Sequence, residues 1–284
     1  MPGKPTKASG YSWEFSEQVR ATCLYLATKI DDLWPDLVIV GGLVPSLLIT
    51  PKDEGSRHIG TQDIDLGLQV ALLSEQRYQA LTERLRQAGF HADRNDNDHL
   101  IRQRWKLEGE LPVTIDFLIA PTDHPQGDQP RGPGQLLNLE KDFAAIVTPG
   151  LQLAFMDQVP VPLTGATIKG EQATRTVRVC GPGAFIILKA LAFRSRGENK
   201  DAYDLYFVLR HYGGDVQDVA AHLRPLLETE EGKRAVQILK DDFPTIDSLG
   251  PMRVADFSGN PDDLALRADV AGTVNLLLAL CSQD

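Results

Sequence analysis

Between Thr61 and Leu68 the chain alternates: Ile64, Leu66 and Leu68 point to one side, Asp63, Asp65 and Gly67 to the other. A period of two is the mark of a strand with one buried face, and here it sets two carboxylates together on the opposite face. Aspartates in turns and helix caps need no special reason. A pair in the middle of an alternating strand does, because ionised groups in a sheet are costly unless something offsets their charge.

The flanking segments predict what surrounds this strand. Phe15, Val19, Cys23, Leu26 and Ile30 recur at helical spacing, so residues 14 to 31 are expected to form an amphipathic helix. Residues 37 to 40 form a short apolar strand that runs into Gly41-Gly42 and then a helix over 43 to 49, with Pro45 in its first turn, where a missing N–H costs nothing. Ser74 is the expected N-cap of a helix to Ala88, with Gly89 as its stop. Two further strands are expected over 99 to 107 and 113 to 119, joined by the turn Glu108-Gly109-Glu110. Residues 121 to 135 are dense in Pro and Gly and read as a loop. Short strands over 145 to 180 include the alternating run Thr174 to Cys180. Gly181-Pro182-Gly183 opens a helix over 184 to 196, Gly197-Glu198-Asn199 separates it from another over 200 to 212, and the rest is mainly helical, ending in an apolar stretch from Val274 to Cys281.

The expected fold is α/β, of the α+β kind: a mixed sheet flanked by helices, then a mainly helical C-terminal region. Three parts are expected: residues 1 to 120 with the Asp pair, 121 to 180 with a loop and short strands, and 181 to 284 as the helical domain. A chain of 284 residues, 42% hydrophobic and 24% charged, is ample for a real core.

The formal charge of −10 argues against a protein that coats nucleic acid, since such proteins carry a surplus of Lys and Arg. Its distribution is uneven. Residues 211 to 284 hold 13 acids against 6 Lys plus Arg, whereas residues 169 to 210 hold 8 Lys plus Arg against 4 acids. A second basic stretch, Arg84, Arg86, Arg94, Arg102, Arg104 and Lys106, falls between 84 and 106. Either could face a polyphosphate or RNA backbone, or be an ordinary solvated face. Cys23, Cys180 and Cys281 are odd in number and lack metal spacing, which predicts reduced, structural thiols. The first residues lack an apolar leader and no stretch approaches the roughly 20 apolar residues of a membrane span, so no membrane and a cytoplasmic location are expected.

Two carboxylates on one strand face suit a hard divalent cation, which takes oxygen ligands. Asp116, alone among apolar residues in Val113-Thr114-Ile115-Asp116-Phe117, is the natural third acid. Gly41-Gly42 permits close backbone approach, and the N–H groups of the helix behind it can hold phosphate oxygens. Lys189 and Arg196, seven apart on one expected helix, share a face that could neutralise a triphosphate. The plainer reading ties Arg196 to Asp201 or Asp204, which lie where the next helix's dipole favours acids. Arg57, His58 and Thr61 precede the Asp pair and could touch a nucleotide; His99, Arg102 and Arg104 could touch an RNA acceptor; Tyr203, Tyr206 and Phe207 read as core.

Taken together, VIVGGLVPSLL, HIGTQDIDLGL and VTIDFLIAP resemble the Gly-Gly or Gly-Ser, DxD, third-Asp pattern of polymerase-β-like nucleotidyltransferases. VRVCGPGAFIILKALAFRSRGENKDAYDLYFVL resembles the distal motifs of the AbiEii/AbiGii toxin-like branch, through Lys189, Arg196, Lys200, Asp201 and Asp204. The resemblance covers roughly residues 37 to 210. The interval from Gly42 to Asp63 is longer than in compact members, and Gly42 stands where many relatives have Ser.

The resemblance implies a polymerase-β-like core holding Mg²⁺ (or Mn²⁺) on Asp63, Asp65 and Asp116, with NTP as substrate. Gly41, Gly42, Lys189, Arg196, Lys200 and Asp201 would bind the nucleotide, and Lys189 and Asp204 would join the three acids in the reaction. The acceptor it implies is RNA, such as a tRNA 3′ end, or a protein, in a toxin–antitoxin or phage-defence setting with an antitoxin partner. Two alternatives stand beside it: transfer to a small cationic molecule of the aminoglycoside type, which the acidic C-terminal region would suit, and a non-catalytic nucleotide-binding module.

Overall fold

A computed structural model describes residues 5–53, 56–69, 75–107, 109, 113–121 and 134–282. In chain order the chain forms α1 (Trp13–Ile30), β1 (Leu37–Val40), α2 (Val44–Leu48), β2 (Asp63–Leu68), α3 (Glu75–Gln87), β3 (Phe90–Arg94), β4 (Leu100–Leu107), β5 (Thr114–Ile119), β6 (Leu136–Asn138), β7 (Ala144–Val147), α4 (Leu151–Met156), β8 (Gln158–Ala166) and β9 (Gln172–Cys180). Six helices follow: α5 (Pro182–Arg196), α6 (Asn199–His211), α7 (Val216–Leu223), α8 (Glu230–Asp242), α9 (Leu249–Phe257) and α10 (Leu264–Cys281). The fold is mixed α/β of the α+β kind. The expected cap Ser74, Glu108 and Glu110 of the expected turn, and most of the expected loop, 122 to 133, lie outside the described residues.

The chain forms two compact units. The first holds residues 13–43 and 61–179; the second holds 4–12, 44–60 and 180–284. The division at Val179 and Cys180 assigns all the short strands to the first unit. It also places two earlier segments with the C-terminal helices, a membership that the linear pattern of motifs does not reveal.

In the first unit one mixed sheet runs in the order β3-β4-β5-β2-β1-β9-β8. β2 lies parallel to β5 and antiparallel to β1, and β1 is parallel to β9. β5 has β2 on one side throughout. On its other side it pairs with β4 through Asp116 and then with β7 from Leu118 onward. The apolar residues of β2 and β5, Ile64, Leu66, Ile115 and Phe117, are fully buried. Trp105 stands opposite Ile115, and Phe143 meets both Trp105 and Phe117 edge-on, with ring centroids 6.0 and 4.9 Å apart. The predicted helix of α1 buries Val19, Cys23, Leu26 and Ile30 completely.

Gly67 belongs to the Asp face of β2. A Cβ there would come within 2.9 Å of Val38 and 3.1 Å of Leu151. The helix α4 therefore covers the end of that face beyond the Asp63 and Asp65 positions. Neither β3 nor α4 was expected from the sequence, the first because Phe90–Arg94 holds only one strongly apolar residue, Phe90, the second because a six-residue helix shows less than two turns of periodicity.

In the second unit α5 packs with α6, α7 and α8, and α9 with α6 and α10. Phe185, Phe193, Phe243 and Phe257 are its largest fully buried side chains. Among the described residues α10 is long and apolar enough to cross a membrane by length and composition, with mean hydropathy 1.6, although the sequence reading expected no such stretch. Its Val270, Ala271, Val274 and Leu277 are buried within the unit, so it has the pattern of a helix packed by one face.

Candidate metal centre

Pairing register builds the centre. Asp65 stands opposite Val40 on β1 and opposite Asp116 on β5, and Asp116 stands opposite Arg104 on β4. Cross-strand partners share a face, so Arg104, Asp116, Asp65 and Val40 form one row across four strands. Asp63 projects from the same face two residues along β2. One oxygen from each of Asp63, Asp65 and Asp116 lies within 4.8 Å of the others. Asp63 and Asp116 are buried and Asp65 is half-buried.

The surroundings fix these side chains. The Thr61 hydroxyl donates to Asp63 Oδ1 at 3.0 Å. Gly41 follows Val40 with φ +70°, and a Cβ there would lie 1.9 Å from Asp65 Oδ2. Glycine at 41 is thus required twice, by the left-handed backbone and by the close approach of the Asp65 carboxylate. The chain then makes a single 3-10 turn over Gly41–Leu43 before the five-residue α2, so the expected strand, Gly-Gly turn and helix follow in order, with a very short helix.

The donor set fits a hard divalent cation: three carboxylates and no nitrogen or sulfur ligand. In an octahedral Mg²⁺ shell opposite oxygens lie about 4.2 Å apart and adjacent ones about 3 Å, so oxygens within 4.8 Å of one another would draw together by up to roughly 2 Å to share one ion. The charge also fits, since three carboxylates this close repel one another and Arg104 sets one positive charge beside them.

Arg104 donates from Nε to Asp116 Oδ1 and from Nη2 to Asp116 Oδ2, both at 2.6 Å. The hydrogen-bonded Asp116 carboxylate, with the added field of Asp63 and Asp65, raises the guanidinium pKa further above its ordinary value. Arg104, a candidate contact for an RNA acceptor, is thus bound to Asp116 in the structure. Most of its basic stretch is likewise engaged with acids: Arg84 with Asp32, Arg86 with Asp142, Arg94 with Asp98 and Lys106 with Asp93.

The distal residues come together in the second unit. Lys189 Nζ donates to Asp201 Oδ1 at 2.9 Å and to Asp204 Oδ2 at 2.7 Å. Arg196 grips Asp201 with two bonds of 2.7 Å, and Lys200 reaches both oxygens of Asp204 at 2.8 and 2.9 Å. Asp201 and Asp204 are fully buried and Lys189 is 6% exposed. Burial alone would raise both carboxylates; Lys189, with Arg196 at Asp201 and Lys200 at Asp204, outweighs it and holds them ionised below the usual range. The side chains expected on a nucleotide-binding face are thus paired with one another.

His58 joins this cluster. Its Nε2 lies 2.9 Å from Asp204 Oδ1, and its Nδ1 accepts the Gly60 N–H at 3.1 Å, which assigns the proton of the neutral ring to Nε2. Burial pushes its pKa down to about 4, against the pull of Asp204. Phe207 packs edge-on against the ring at 4.9 Å and Tyr203 lies 5.7 Å away. Tyr203 also packs on Phe257, and the Tyr206 hydroxyl donates to Asp269. The three cysteines are free, and burial pushes the Cys23 thiol up to about 12.

No protein-family model matches the chain, and no curated protein matches it.

Proposed function

We propose that this chain is a divalent-metal-dependent nucleotidyltransferase that moves NMP from an NTP to an acceptor hydroxyl. The observation that carries the reading is the register of Asp65 against Asp116, with Asp63 beside them, on one strand face next to Gly41. A chain that only binds nucleotide has no need to gather three carboxylates against their repulsion, which argues against a non-catalytic module.

Asp63, Asp65 and Asp116 would hold the ion, Mg²⁺ or Mn²⁺. When bound, it would neutralise triphosphate charge and make the attacking hydroxyl more acidic. The acceptor oxygen bonds to the α-phosphorus, its proton passes to a carboxylate oxygen of Asp116, and the α–β phosphate bond breaks so that pyrophosphate leaves with the bonding pair. Gly41 and Gly42 supply backbone N–H groups for phosphate. Lys189, Arg196, Lys200, Asp201 and Asp204 keep the nucleotide-binding and reaction roles that the resemblance to the AbiEii/AbiGii toxin-like branch assigns them.

The acceptor favoured by that resemblance is RNA, such as a tRNA 3′ end, or a protein, with the chain in the cytoplasm and an antitoxin as partner. A small cationic acceptor is the second reading, favoured by the excess of acids over bases in residues 211 to 284. The test is to incubate the full chain and an Asp65→Ala control with each α-labelled NTP, Mg²⁺, and total tRNA, protein extract or aminoglycosides in turn. Label in RNA or protein is the expected result, and label on the drug favours the second reading. No metal-dependent label in any fraction overturns both.

A further inference from the structure

The two oxygens of Asp116 are held by the two-pronged fork of Arg104, at 2.6 Å each. A guanidinium cannot shed its proton at any working pH, so it leaves a carboxylate only by moving. A cation bound among Asp63, Asp65 and Asp116 must take at least one of those same Asp116 oxygens. Two cations on one carboxylate lie within a few ångströms of each other, and there a divalent and a monovalent charge repel strongly even at an effective dielectric well above that of a dry interior. The Arg104 side chain is 28% exposed while that of Asp116 is 9% exposed, so the arginine has solvent to swing into and the carboxylate does not.

We propose that Arg104 is the built-in competitor of the metal ion: the ion binds by displacing the Arg104 fork from Asp116, and Arg104 thereby sets the affinity of the centre for metal. The proposal rests on the reading of the three aspartates as a metal centre. It assigns Arg104 a positioning role, since without an incoming ion it holds Asp116 in place and offsets part of the excess negative charge. The same exchange frees the Asp116 oxygen that receives the acceptor's proton.

The test is direct Mn²⁺ binding to the full chain at fixed low ionic strength, followed by electron paramagnetic resonance of the free ion. It compares wild type, Arg104→Met, Arg104→Lys and the double variant Arg104→Met/Asp65→Asn. Arg104→Met, which removes the positive charge and keeps an apolar stem, is expected to tighten the dissociation constant by about tenfold or more. Arg104→Lys, which keeps the charge and gives up the fork, falls between it and wild type, and the double variant loses the gain. If Arg104→Met fails to fold, Arg104→Lys decides alone: tighter binding supports the proposal, and equal or weaker binding overturns it. Binding by wild type that is unchanged or weakened in Arg104→Met overturns the competitor role and leaves the metal centre standing. No Mn²⁺ binding by any of the proteins overturns both.

Discussion

At Gly41 a backbone constraint and a charge constraint meet in one residue. With φ +70° and a would-be Cβ 1.9 Å from Asp65 Oδ2, Gly41→Ala is expected to cost about 2 kcal/mol or more of stability. It should also displace the Asp65 carboxylate, so Mn²⁺ affinity falls although every ligand is retained; denaturant unfolding and Mn²⁺ titration on the same protein check both. Lys189 has a different dependence on its neighbours. Its ammonium is shared by two fully buried carboxylates, so Lys189→Met strands charge in the interior and is expected to lower stability by about 3 to 5 kcal/mol, read from the denaturation midpoint. At this scale Asp63, Asp65 and Asp116 were legible, because an acid in an apolar strand stands out by itself. The partnership of Arg104 with Asp116 was not, because it depends on hairpin register: a turn centred on Gly109 would set Arg102 opposite Asp116, and the strands pair two residues further along. The partnership of His58 with Asp204 lacked a local signal altogether, since the two lie 146 residues apart.

Among the elements, β2 and α4 show how the Asp face is bounded. Gly67 admits Leu151 and Val38 against β2. Gly67→Val is therefore expected to destabilise the first unit by about 1 to 3 kcal/mol, and Leu151→Ala in the same chain should recover part of that loss. Thermal unfolding of the two single variants and the double variant measures it; additive losses would show that the contact is not the cause. Long elements with strong periodicity, α1, β2, β5, α5 and α6, were readable within a residue or two. The short β1 and α2 were readable too, from the Gly41-Gly42 turn between them; β3 and α4 were missed, and the order of strands was beyond reach, because pairing between β1 and β9 joins residues 140 apart and nothing local encodes it.

For the whole molecule, the clearest consequence of the buried polar cluster is a dependence on pH. The native pKa of His58 is about 4 against an ordinary 6.5, because burial disfavours its charged form. Between these values the unfolded chain binds more protons than the folded one, so stability is fully present above pH 6.5 and is lost as pH falls toward 4, by up to about 1 kcal/mol per pH unit. Burial lowers His211 as well, with the same sign, so the slope specific to His58 is the difference between wild type and His58→Asn in denaturant midpoints from pH 7 to 5. Asp201 and Asp204, whose pKa values are depressed, contribute stability that persists above pH 3.8 and is lost only below it, outside that window. The order of helical and strand patterns was enough for the fold class, but net charge did not identify the acceptor, since an excess of acids in one region is equally at home on a solvated face. The chemistry itself is tested most directly by parallel incubations with NTP labelled at the α- or at the γ-phosphate, in Mg²⁺ with the acceptor fractions. Label is predicted to reach an acceptor only from the α-phosphate, and to be lost with chelator or in Asp65→Asn; transfer of the γ-label, or α-transfer that survives both treatments, would contradict the account.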